Sequence, residues 1–122
     1  MQRSELFRRG IIVPNTEAAK EQLLANAIDT ESDVTFLDLE KYGDFEEIFV
    51  TGVFSDINAA CGVTIDDYED EIVDWNKAYA LINVVKNKQH KMQSEKFLLF
   101  FNDLVDAAEM AMKKQMPIFF IF

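Results

Sequence analysis

The sequence predicts an α+β fold: a helix-rich single domain over residues 1–122, with about four helices packed on a small two- or three-stranded sheet. The sheet is expected to comprise an N-terminal βαβ unit plus a C-terminal strand. Three observations carry this expectation. Apolar residues recur at spacings of three and four over four stretches, the mark of amphipathic helices. Short apolar runs bounded by glycine or proline, Gly10–Pro14 and Ile118–Phe122, stand at the two ends. With 122 residues and 49% hydrophobic content, the chain is long enough for one core and too apolar for disorder.

Taken in order, Gly10-Ile11-Ile12-Val13-Pro14 reads as a strand closed by proline. Asn15 and Thr16 are good N-caps, and Glu17 sits where the helix dipole favours an anion. Ala19, Leu23, Leu24, Ala27 and Ile28 then keep helical spacing, and Val34–Leu39 reads as a second strand. Strand, helix, strand implies parallel strands with a right-handed crossover. Gly43-Asp44 opens a second helix with an apolar face of Phe45, Ile48, Phe49, Val53, Ile57 and Ala60. Gly52 lies inside it at a cost of ~1 kcal/mol, and Gly62 suits the left-handed C′ position.

A third helix is expected from Asp66 to about Lys86. Asp66 and Glu69 would form a capping box, and Tyr68, Ile72, Trp75, Tyr79, Ile82 and Val85 a buried stripe. A basic connector with Lys86, Lys88, His90 and Lys91 follows. Ser94 then caps a fourth helix bearing Phe97, Leu98, Phe101, Leu104, Val105 and Ala108. Lys113 and Lys114 complement the end of that helix, Pro117 stops it, and Ile118–Phe122 reads as a buried strand.

Charge is distributed very unevenly. Asp29–Asp74 holds 15 Asp and Glu against one base, Lys41, for a net −14. Residues 1–28 sum to +1 and residues 75–122 to +3, so the middle of the chain carries all of the total of −10. Crowded like charges weaken the compact state; the simplest functional reason to keep them is a basic partner, and the alternative is a solvated face that keeps the protein soluble. The same balance argues against nucleic acid or anionic lipid as a direct ligand, since both are held by Lys and Arg. No apolar run approaches the ~20 residues of a spanning helix, and the start has no signal-peptide apolar core, so the cytoplasm is the expected location.

The candidate binding residues follow from helical geometry. On the expected third helix Asp67, Asp70, Glu71 and Asp74 fall within a sector of about 100°, roughly 120° from the aromatic stripe. Four carboxylates would then face outward, and Asp44, Glu46 and Glu47 would extend the surface. No catalytic residue, cofactor or metal is expected. His90 and Cys61 are the only His and Cys, too few for a zinc site, and there is no glycine-rich phosphate loop.

Asp44-Phe45-Glu46-Glu47 followed by Glu71-Ile72-Val73-Asp74 resembles the ExxE…ExxD pattern of all-α nucleoside triphosphate pyrophosphohydrolases, with Asp44 where that family has Glu. That resemblance implies facing helices that hold magnesium, and hence a nucleotide hydrolase. Size, the Asp29–Asp74 charge block and the outward carboxylates resemble instead the small acidic immunity proteins of bacterial toxin–immunity systems, including contact-dependent growth inhibition. That resemblance implies a non-enzymatic inhibitor of a basic toxin domain, a nuclease above all, acting in the cytoplasm. A protein-binding adaptor domain is the third reading.

Overall fold

The computed structural model describes residues 1–43, 45–66, 70–92 and 95–122, the Lys96 side chain excepted. Strand β1 (Gly10–Pro14) and strand β4 (Ile118–Ile121) lie side by side at the centre of a four-stranded antiparallel sheet. Strand β2 (Val34–Asp38) pairs with the other edge of β1, and strand β3 (Asp70–Val73) with the other edge of β4. The order is therefore β2-β1-β4-β3. The two ends of the chain supply the central strands, and its acidic middle supplies both edges.

Side chains alternate across the sheet, and both faces are covered. Ile11, Val13, Leu37, Val73, Ile118 and Phe120 enter one core; Ile12, Phe36, Ile72, Phe119 and Ile121 enter the other. The smaller core is roofed by helix α1 (Arg3–Phe7) and helix α2 (Glu17–Leu24), through Leu6, Phe7 and Leu23. The larger lies under α3 (Phe45–Val50), α4 (Val53–Cys61), α5 (Ala78–Lys91) and α6 (Leu98–Lys114). Its aromatic centre is Phe54, whose ring lies 5.0 Å from Phe122, 5.7 Å from Phe49, 6.2 Å from Phe120 and 6.4 Å from Phe100.

Several local expectations hold. Thr16 caps α2 by accepting from the Ala19 amide, and Gly62 ends α4 at φ 67°. β4 is buried along its whole length. Pro117 follows α6, which closes on Gln115 in the left-handed conformation. Gly52 does more than weaken a helix: at φ 84° it divides the expected second helix into α3 and α4.

Two expectations are corrected. β1 and β2 are antiparallel, so the N-terminal segment is not a parallel βαβ unit. A crossover must return the chain to the starting end of β1. α2 has eight residues, a rise of about 12 Å, and the loop after it doubles back. The Asn15 amide then donates to the Asp33 carbonyl at 2.9 Å, so β2 begins where β1 ends.

The second correction concerns the expected helix from Asp66 to Lys86. Asp70–Val73 is a strand instead, and the helix runs from Ala78 to Lys91. Its buried residues are Ala78, Leu81, Ile82 and Val85, whereas Trp75 is 40% and Tyr79 66% exposed. Pairing with Phe119 and Phe120 of β4 overrides the helical spacing around Ile72. The basic run through Lys88, His90 and Lys91 forms the last turn of α5, where cations suit the dipole. The capping roles given to Ser94 and to the Asp66–Glu69 pair, and the opening of the second helix at Asp44, fall wholly or partly outside the described residues.

Gly10 shows how tightly the smaller core closes over the sheet. A Cβ there would stand 2.0 Å from Phe36 Cε2 and 2.9 Å from the Phe7 carbonyl oxygen. The Phe36 ring cannot retreat freely, because Phe7 packs against it with centroids 5.0 Å apart. Gly10→Ala should lower stability by about 1–3 kcal/mol in urea unfolding, the cost of overpacking.

Candidate functional site: an acidic surface at two sheet edges

The acidic residues divide between the two edges of the sheet. Asp29, Glu31 and Asp33 precede β2, and Asp38 and Glu40 close it. Asp66, Asp70, Glu71 and Asp74 surround β3. Three strand spacings, about 14 Å, separate the two edges. Among the described residues no polar or charged side chain is buried, so the carboxylates reach the surface.

The single outward helical face expected from Asp67, Asp70, Glu71 and Asp74 does not form. Asp67 and Asp44 lie outside the described residues. Asp70 and Glu71 are neighbours on a strand and so point to opposite faces. Asp74 is exposed just beyond the strand and makes no side-chain cap bond. Glu46 and Glu47 are exposed in the first turn of α3, where the dipole favours them.

Asp70 and Glu71 serve the fold. Asp70 accepts from Arg3 Nε at 2.9 Å, and Arg3 Nη1 donates to the Leu23 carbonyl at 2.9 Å. The guanidinium also lies 5.6 Å from the centre of the Phe119 ring. Arg3 thus joins α1, α2, β3 and β4. Glu71 accepts from the Thr64 amide at 3.0 Å with one oxygen and from the Ile72 amide at 2.9 Å with the other. Asp56 of α4 pairs with Lys88 of α5 at 2.8 Å.

The hydrolase pattern does not assemble as its family requires. Glu71 to Val73 is a strand, so the second half of the pattern has no helix to face the first. Among the described residues no group of three or more His, Cys, Asp or Glu is arranged to hold a metal ion. Cys61 is buried, and its thiol points at the Lys77 carbonyl, 3.6 Å away. Burial pushes its pKa up, with the Lys77 charge opposing, so it is a packing residue and not an activated nucleophile. His90 is exposed on the last turn of α5.

The residues that sequence reasoning missed are the acids around β2 and the exposed pair Trp75 and Tyr79. Strand alternation at Val34–Asp38 located β2. That it forms an edge depends on which strands flank β1, a long-range fact. No helix of the described residues is long and apolar enough to cross a membrane.

Two predictions follow from these contacts. Arg3→Ala should cost about 1–2 kcal/mol, since a largely shielded ion pair and a backbone hydrogen bond are lost together; equilibrium denaturation measures it. Tyr42 donates to Asp103 at 2.6 Å, and burial foremost, then that bond and carboxylate charge, raise its pKa well above the ordinary 10.0. Cys61 is likewise raised above 9.0. Unfolding frees both groups to ionise at their ordinary values, so the stability they supply is intact below about pH 9 and is lost as pH rises further. Denaturation midpoints against pH test this, and Cys61→Ala should delay the onset.

No family model, curated protein or solved structure matches this chain.

Proposed function

We propose that the chain is a non-enzymatic immunity protein that binds and neutralises a basic toxin domain, a nuclease, through its acidic surface. The observation that carries this reading is the net −14 of Asp29–Asp74, none of whose described carboxylates is buried. A nuclease holds phosphates with Lys and Arg, and those cations are what such a surface attracts. Asp74, Glu46 and Glu47 are the exposed members of the contact set expected from sequence. Asp70 and Glu71, engaged within the fold, contribute charge more than contact. The cytoplasm is the proposed place of action.

A second reading is favoured by one observation. Trp75 and Tyr79, four residues apart and exposed beside Asp74, are the residue types that anchor protein interfaces. A protein-binding adaptor using this patch would hold its partner by apolar contact, with little response to salt.

Partners captured from lysate of the source organism should include a basic domain in near-equal amount, released as salt rises. One equivalent of the protein should abolish the activity of that domain. Asp74→Lys should slow association several-fold at low salt and leave the unfolding midpoint unchanged. Salt-insensitive capture would favour the adaptor reading, and an unaffected partner activity would end the inhibitor reading.

A further inference from the structure

The two edges of the sheet are not equivalent. Along β1 and β2, the Asn15 amide bonds the Asp33 carbonyl at 2.9 Å and the Leu39 amide bonds the Arg9 carbonyl at 3.1 Å. With Val13 opposite Thr35 and Ile11 opposite Leu37, those pairs carry the ladder bonds. The alternate residues Val34 and Phe36 therefore turn their N–H and C=O groups away from β1. Among the described residues these groups find no partner, and four of the five residues of β2 are partly exposed. At the opposite edge, the outward amide of Ile72 is already occupied by the Glu71 carboxylate. At the β3 edge one outward amide is capped by a side chain of its own strand, whereas the outward amides of Val34 and Phe36 in β2 are open.

The open edge starts beside a hollow of about 320 Å³ lined by Asp29, Glu31 and Asp33 together with Thr16, Gln22 and Ser32. No Lys, Arg or His lines it. Asp29 accepts from the Glu31 amide at 2.8 Å, and Asp33 accepts from Asn15 Nδ2 at 3.0 Å, so two of the three carboxylates are held in position. Asp38 and Glu40 stand at the far end of the strand. An added strand would thus meet unpaired backbone groups along ~17 Å and a base-free acidic hollow at its start, whereas at the far end Arg9 and Lys41 stand beside Asp38 and Glu40.

We propose that the β2 edge is the docking strand for an extended, cationic segment of the partner. The segment pairs with Val34 and Phe36 as a fifth strand and places a Lys or Arg side chain in the Asp29–Glu31–Asp33 hollow. This rests on the inhibitor reading for the identity of the partner, while the edge itself stands on geometry. The net charge of −10 disfavours a second copy of this chain as occupant and favours a cationic segment. Backbone pairing supplies affinity, and the carboxylates select for cations.

The test uses the full chain and a blocked ten-residue peptide alternating lysine and threonine, titrated at low salt. Amide exchange at Val34 and Phe36 should slow roughly tenfold on saturation, with Ile72 unchanged. N-methylation of the peptide's alternate amides along one edge should weaken binding roughly tenfold, and along the other edge should leave it intact. Glu31→Gln with Asp33→Asn should weaken binding several-fold without moving the unfolding midpoint. No binding at low salt, protection elsewhere than β2, or indifference to both N-methylated series would overturn the edge assignment. Those outcomes leave the inhibitor reading to be judged on partner inhibition, whereas failure to inhibit any basic partner leaves the edge assignment to the peptide.

Discussion

Both faces of the central strands are apolar, and the rest of the fold answers that constraint. Ile11 and Val13 point one way along β1 and Ile12 the other; Ile118 and Phe120 point one way along β4, and Phe119 and Ile121 the other. A sheet with two such faces must be roofed twice. Four helices cover the larger face, but only α1 and the short α2 are left for the smaller. The N-terminal roof is correspondingly tied down by polar contacts: the Ile28 amide donates to the Met1 carbonyl at 2.8 Å, and Arg3 binds both Asp70 and Leu23. These anchors add to the apolar contacts of the smaller roof.

What could be read from sequence was local. The Thr16 cap, the Gly62 terminus, the apolar face of α6 and the buried Phe-rich strand each depend on residues close together, and each is present. What could not be read depends on distant partners. Asp70-Glu71-Ile72-Val73 is extended because β4, nearly fifty residues later, has an edge to fill. The same dependence undid the expected acidic helix face. Asp70 and Glu71, spaced for one helical surface, are on opposite sides of a strand, and only the charge of the segment survives the change of geometry.

Acid enrichment at both edges also has a structural meaning. An unpaired strand edge is a template for unwanted pairing, and charge is a common way to discourage it. Glu71 goes further and occupies the outward Ile72 amide itself. The edge at β2 has acidic residues around it but no such side-chain plug on its outward amides.

The position of β4 in the sheet has a consequence for how the chain is made. Synthesis releases β1, β2 and β3 long before Ile118–Ile121, yet β4 is the strand that lies between β1 and β3. Until it arrives, β1 lacks one neighbour, β3 has none, and the larger core lacks Ile118, Phe120 and Phe122. Joining Ile12 to Phe119 closes nearly the whole chain into a loop, an entropic cost that nothing earlier in synthesis can offset. The sheet therefore closes only once its last strand has been made, and until then β1 and β2 are the only strands with a partner to pair with.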